Sequence, residues 1–412
     1  MRARSRRWPL VVAVVVILVL AVAAIVRLVT LKPPNLVARV AFPTTVRLPG
    51  SAPEPAWPAT GQAALVVQGI GSLGSAGGSS PRPTASLAKV MTAYLTLKQH
   101  PLSATGGGFT LTVTPAEARA EVQDAKRDQS VVAVRAGERL DERQLLEALL
   151  IPSGDNIAQM LAAHEAGSVS QFVVEMNATA RALGMDRTTY TDPSGFEPTT
   201  VSDARDQLRV FESAMRFAVF RQIVSMSSVT LPAAGKLENY NPVIAEGYVG
   251  KTGSDSEAEG CLAFFKHVTV DGRRVTLVGV VLGQGHGAVT SVILEAAAAA
   301  AERLVGSVTP AIRARTVLPA RTAVMFASGV DGRRGAGVTT NPLKVIGWGG
   351  LQEHLAIRTR SLGTALSARQ AVGEAALAGT LPTAPGDQTQ TTVRASTALP
   401  APGIFWRLAH LL

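Results

Sequence analysis

Ser86 and Lys89 open an apolar run (Leu87, Val90, Met91, Ala93, Tyr94, Leu95, Leu97) with no glycine or proline from 86 to 98. The pattern predicts a helix, and on a helix residues three apart share a face. A serine hydroxyl would then meet a lysine amine one turn away. Serine is a nucleophile only when its proton has somewhere to go, and a desolvated lysine can take it. Alone, S-x-x-K more often marks a capped helix with a surface lysine. Two further clusters change that weighting: Ser153-Gly154-Asp155-Asn156 and Lys251-Thr252-Gly253. The first lies between a helix predicted for 142–150, stopped by Pro152, and another predicted for 157–163. That is a tight joint able to point polar groups into a cleft; read alone it is an ordinary turn capped by Ser153 or Asp155. The second cluster follows 246–249 and precedes a predicted hairpin, 262–270 and 275–282 around Asp271-Gly272. It reads as an edge or near-edge strand, where an extended peptide can add alongside.

In this order the three motifs resemble those of the penicillin-binding and serine β-lactamase class. More narrowly, the chain resembles the D-alanyl-D-alanine carboxypeptidases of the low-molecular-weight penicillin-binding proteins. The phrases that carry the likeness are Pro83 to Ala93, Pro152 to Asn156, Met176-Asn177 with Leu183-Gly184-Met185, and Gly250 to Gly253. The resemblance implies an α/β (α+β) fold, with an antiparallel sheet and a helical subdomain. It implies Ser86 as nucleophile, Lys89 as general base, and Ser153 as proton relay to the leaving amine. Lys251 would hold Ser153 and add positive charge, and Thr252 would bind the substrate's terminal carboxylate. The backbone N–H groups of Ser86 and Ser254 would form the oxyanion hole, and Gly253 would admit the substrate backbone. The implied substrate is a peptidoglycan stem peptide ending in D-Ala-D-Ala, with β-lactam antibiotics as acylating inhibitors and no cofactor.

Two positions depart from the family pattern. The second motif usually reads Ser-x-Asn, but Asp155 holds the third place and Asn156 the fourth. A carboxylate cannot donate an amide hydrogen bond. Either Asp155 pairs with Lys89 or Lys251, or Asn156 turns inward instead. The arginine often found after the last strand is replaced by Gly283-Gln284-Gly285-His286, which leaves Gln284, with His286 as a second candidate, for the substrate carboxylate.

Composition removes other classes. The net charge of +10 over 412 residues suggests nucleic acid until its distribution is read. Eight of the 40 Lys/Arg and no acidic residue lie in 1–53, leaving 32 basic against 30 acidic residues beyond. No downstream basic run is interleaved with aromatics, so no nucleic-acid partner is expected. The single cysteine, Cys261, sits in an apolar run and reads as core. The histidines are scattered without ligand-like spacing, so no metal site is indicated.

The organisation predicted is a basic stub at 1–7 (Arg2, Arg4, Arg6, Arg7), a transmembrane signal-anchor at 8–29, and a Pro-rich linker at 30–60. A cleavable signal peptide ending at Ala21-Val22-Ala23 is the rival for the apolar run. The carboxypeptidase domain would span 61–306, with 63–70 as a central strand and the Gly/Ser-rich 71–80 as a loop. A small β-rich domain would span 307–380, followed by linker and a possible amphipathic tail at 381–412. That tail, 404–412, either touches lipid or packs on the folded body. The implied location is the bacterial cell membrane, single-pass, with the C-terminal part on the wall side. The alternatives are a non-catalytic or weakly active cell-wall-binding homologue and a β-lactamase-like hydrolase.

Overall fold

The structure, a computed structural model, describes residues 8–287, 289–378 and 389–410. The predicted stub at 1–7, part of the 381–412 segment and the last two tail residues lie outside the described residues. The chain divides into two compact units, Pro53–Ile312 and a second made of Met1–Ala52 with Arg313–Leu412.

Helix α1 (Trp8–Thr30) has 23 residues, mean hydropathy 3.3 and no buried residue. At 1.5 Å per residue it is long and apolar enough to cross a bilayer core, consistent with a single membrane anchor. Two short strands follow, β1 (Val37–Val40) and β2 (Thr45–Arg47).

The unit Pro53–Ile312 begins with β3 (Gln62–Val67) and β4 (Gly71–Ala76). Its helical part includes α2 (Ala88–Gln99), α3 (Glu142–Leu150), α4 (Asp155–Ala166) and α5 (Ala204–Ala214). The chain then forms β5 (Tyr248–Asp255), β6 (Glu259–Val270), β7 (Arg273–Gln284) and α6 (Thr290–Val308). The five strands make an antiparallel sheet in the order β5-β6-β7-β3-β4. Asp271 and Gly272, both at positive φ, turn β6 into β7 as the D-G signal predicts. Consecutive residues of β7 are buried, so both faces of the sheet are covered; α6 packs on β6 and β7, and α5 on β7 and β3. Cys261 is fully buried, and burial pushes its thiol up to about 12, which leaves it a packing residue.

One reading is corrected here. The 71–80 loop begins as a strand, β4, because an edge strand pairs through its backbone and tolerates small residues.

In the other unit, β8 (Ala323–Ser328), β9 (Arg334–Thr339), β10 (Gln352–Thr359), β11 (Ala371–Leu377) and β12 (Gln390–Ala395) join β1 and β2. The antiparallel order is β1-β8-β9-β12-β11-β10-β2. The segment read as a linker at 30–60 therefore supplies both edge strands of this sheet, and the segment read as linker after 380 supplies a central one. Val37 pairs with Ser328 and Gln352 with Arg47. Leu36 and Leu48, flanking the two strands, are buried in the core of this unit. The Pro-rich composition concealed strands only three or four residues long. The short helix α7 (Ile404–Ala409) leaves Ile404, Phe405 and Leu408 exposed, and Arg407 donates to the Leu28 and Val29 carbonyls at the end of α1, 3.4 Å each.

Candidate active site

Ser86 lies in a single 3-10 turn, Ala85–Leu87, that feeds directly into α2. Ala85 adopts φ +46°, a left-handed conformation that a β-carbon resists. Two glycines leave room for this turn. A β-carbon at Gly195 would stand 1.8 Å from the Ala85 carbonyl oxygen, and one at Gly253 2.9 Å from the Thr84 carbonyl oxygen. Gly253 thus lets β5 pack on the Ser86 turn, a protein contact that was not foreseen.

Lys89 is fully buried, and its Nζ meets three oxygens: Ser86 Oγ at 2.6 Å, Asp155 Oδ1 at 2.6 Å and the Ser194 carbonyl at 3.0 Å. The predicted hydroxyl–amine contact is present. Asp155 takes the first of the alternatives left open by the sequence, pairing with Lys89. Its other oxygen, Oδ2, accepts from the Ser130 N–H at 2.9 Å. Asn156 does not turn toward Lys89. Its amide exchanges two hydrogen bonds with the Val132 backbone, 3.0 and 2.9 Å.

The loop that offers Ser194 is held by one carboxylate. Asp192 Oδ2 accepts from the Ser194, Gly195 and Phe196 N–H groups and from Ser194 Oγ, and Oδ1 accepts from Thr200 Oγ1. Thr92, one turn beyond Lys89, donates to the Pro193 carbonyl at 2.6 Å. This loop therefore fixes the lysine from one side while Asp155 fixes it from the other.

Ser153 has φ +65°, and its Oγ is buried with no hydrogen-bond partner. A strained residue with an unused hydroxyl is unusual in a packed joint and common where a ligand completes the bonding. Lys251, on β5 at the sheet edge, is 1% exposed and donates to the Thr252 carbonyl at 2.8 Å. Burial, and then the charge of nearby Lys89, hold its ammonium well below the usual lysine range, with Asp155 opposing.

A cavity of about 310 Å³ opens over these groups. Among the predicted site residues, Ser86, Ser153, Thr252, Gly253 and Ser254 line it. Ser130, Tyr240, Leu294 and Thr290, the first residue of α6, also line it and were not foreseen. They come from segments with no motif, so nothing in their local sequence marks them. Gln284 is not brought to the cavity. It is 4% exposed, and its Nε2 donates to the Thr60, Leu282 and Gly283 carbonyls. Its amide closes the end of β7 and is unavailable to a substrate carboxylate. His286 pairs with Glu259, which also accepts from Arg82.

Residues 73–285 match the sequence profile of the D-alanyl-D-alanine carboxypeptidase family. A D-alanyl-D-alanine carboxypeptidase of Mycobacterium tuberculosis is 34% identical over 154 residues, 37% of this chain and 48% of that protein. The chain thus spans about half the length of that relative. A D-alanyl-D-alanine carboxypeptidase of Streptomyces sp. strain K15 is 30% identical over 220 residues, 49% of this chain and 72% of the other. The crystal structure of the Streptomyces K15 DD-transpeptidase superposes with TM-score 0.53 and 26% identity, covering 63% of this chain and all of that one.

Proposed function

The chain belongs to the D-alanyl-D-alanine carboxypeptidase family, and on that premise we propose that it removes the terminal D-alanine from peptidoglycan stem peptides through an acyl-enzyme on Ser86. The observation that carries this reading is the buried Lys89 amine 2.6 Å from Ser86 Oγ at the floor of the cavity.

The reaction follows from what each group can hold. Asp155 Oδ1 takes a proton from Lys89, leaving a neutral amine that accepts the Ser86 proton as Oγ bonds to the carbonyl carbon of the penultimate D-Ala. The developing oxyanion faces the backbone N–H groups of Ser86 and Ser254. The C–N bond then breaks, and the leaving amine receives a proton from Ser153 Oγ, which Lys251 and Lys89 resupply. Water attacks the ester by the reverse path. Thr252 binds the terminal carboxylate, the role expected of it, and Thr290, which also lines the cavity, takes the place for which Gln284 was expected. Each such group typically contributes about 100- to 10,000-fold in rate. A β-lactam would acylate Ser86 because its ring amide stands in for the scissile bond. We further place α1 in the cell membrane, with the rest of the chain on the wall side.

The test uses the full chain in detergent, with a fluorescent penicillin and a D-Ala-D-Ala peptide. Labelling and D-Ala release are expected, with both lost in Ser86→Ala. No labelling of the native protein, or labelling that survives in Ser86→Ala, overturns the proposal.

A further inference from the structure

Away from the cavity, the fold gathers a second set of reactive side chains. His100 caps the C-terminus of α2, His164 and Glu165 lie in the last turn of α4, and Glu142 begins α3. One ring nitrogen of each histidine and one oxygen of Glu165 all lie within 4.8 Å of one another. His100 Nε2 stands 3.2 Å from Glu165 Oε2. Phe109 holds both rings, stacked on His164 with centroids 4.4 Å apart and edge-on to His100 at 5.0 Å. Glu142 is near enough to feel the charges of both His100 and Glu165.

The carboxylates are the unusual part. The Glu165 side chain is fully buried and neither oxygen has a hydrogen-bond partner. Glu142 is 1% exposed, and its Oε1 is also without one. Buried carboxylates are normally paired or bound to a metal, since an uncompensated one costs several kcal/mol. The two histidines offer neutral nitrogens but no fixed positive charge. The C-termini of α2 and α4 add partial negative charge at the same place, offset in part by the N-terminus of α3 at Glu142. Two buried carboxylates, two imidazoles and two helix C-termini together call for a compact dication. Imidazole nitrogen with carboxylate oxygen suits zinc and its first-row neighbours better than calcium or magnesium. His100, with its side chain 44% exposed, leaves an entry path.

We propose that His100, His164 and Glu165 form a zinc-type divalent-metal site, with Glu142 as the supporting carboxylate behind them. The three ligand atoms, at most 4.8 Å apart, are near the spacing that an ion with ~2.1 Å bonds requires. Each of the three helices involved has a catalytic-site group at its other end: Lys89 on α2, Asp155 on α4, and Ser153 just past α3. A bound ion ties the far ends of these helices together. No ligand spacing announces the cluster in the sequence, because His100 and His164 come from separate helices.

The site is independent of the acyl-transfer reading, so each can fail without the other. The experiment is titration of the chelator-stripped full chain in detergent with Zn2+ by calorimetry, and with Co2+ by visible absorption. One equivalent is expected to bind at micromolar or lower Kd, with the Co2+ spectrum of a four- or five-coordinate nitrogen–oxygen site and a Zn2+-dependent rise in Tm. His100→Ala and His164→Ala, both at surface-accessible rings, are expected to weaken binding at least tenfold, and Glu142→Gln about tenfold. His410→Ala, at an exposed ring in the other unit, is expected to change nothing. Absence of binding, or equal affinity in His100→Ala and His164→Ala, overturns the proposal.

Discussion

The two ends of the helices α2, α3 and α4 handle buried charge in opposite ways. At the cavity end, Lys89 and Asp155 neutralise one another, the second Asp155 oxygen accepts from the Ser130 N–H, and the buried Ser153 hydroxyl is left without a partner. At the far end, Glu142 and Glu165 are equally buried and carry no fixed countercharge. The first arrangement is rigid and complete save for one hydroxyl, as befits a site that must hold geometry through a reaction. The second is complete only when a cation or a proton arrives. Same helices, same burial, different countercharge: the difference separates a preorganised site from a responsive one.

The sharpest way to break the contrast is to make the cavity end resemble the far end. Lys89→Met leaves Asp155 buried without its countercharge, and should lower penicillin acylation at least 1,000-fold while costing about 3 to 5 kcal/mol of stability. Stopped labelling and denaturant unfolding report the two effects. Acylation within tenfold of native would show that Lys89 is not the base.

The far end predicts a pH dependence. Burial raises the Glu142 and Glu165 carboxyls from 4.5 to about 7, with Asp141 and Glu175 adding repulsion and His100 opposing at Glu142. A raised carboxyl pKa means that the folded state holds the proton more tightly. The stability it lends is full below pH 4.5 and is lost as pH rises through about 7. In metal-free protein the unfolding free energy should therefore fall across that window, by an amount on the order of 1 to 3 kcal/mol. Glu142→Gln with Glu165→Gln should flatten this fall, although the same pair of changes removes zinc affinity. An unchanged slope in the double variant would place the titration elsewhere.

The smallest expected effect comes from restoring the family's usual residue, Asp155→Asn. An asparagine oxygen can still accept from Lys89 Nζ at this position, so the acylation rate should stay within about tenfold of native. A loss beyond about 100-fold, read from the rate of penicillin labelling, would mean that the carboxylate does more than hold Lys89 in place.

What was legible in the sequence was whatever lies close in the chain or carries a strong turn. The Ser86–Lys89 contact follows from helical spacing, and the β6–β7 hairpin from Asp271-Gly272. Gln284 was misplaced because spacing locates a residue on a strand end but not which way its amide turns. Ser130, Thr290 and the His100–His164–Glu165 cluster were invisible for a common reason: each depends on segments remote in sequence meeting in space. The strands β1, β2 and β12 were missed because three to six residues beside prolines or a Pro/Thr-rich stretch carry too little periodicity to register.

The placement of β1 and β2 has a consequence for biosynthesis. These strands are made first, yet their partners β8 and β10 emerge only after the whole of Pro53–Ile312. Within that unit, the Ala56 N–H donates to Ser307 Oγ, so its entrance and exit are side by side and it can close before the rest arrives. The nascent chain must therefore keep two unpaired ribbons waiting while the inserted unit finishes, and truncation at residue 60 would strip the later sheet of both its borders.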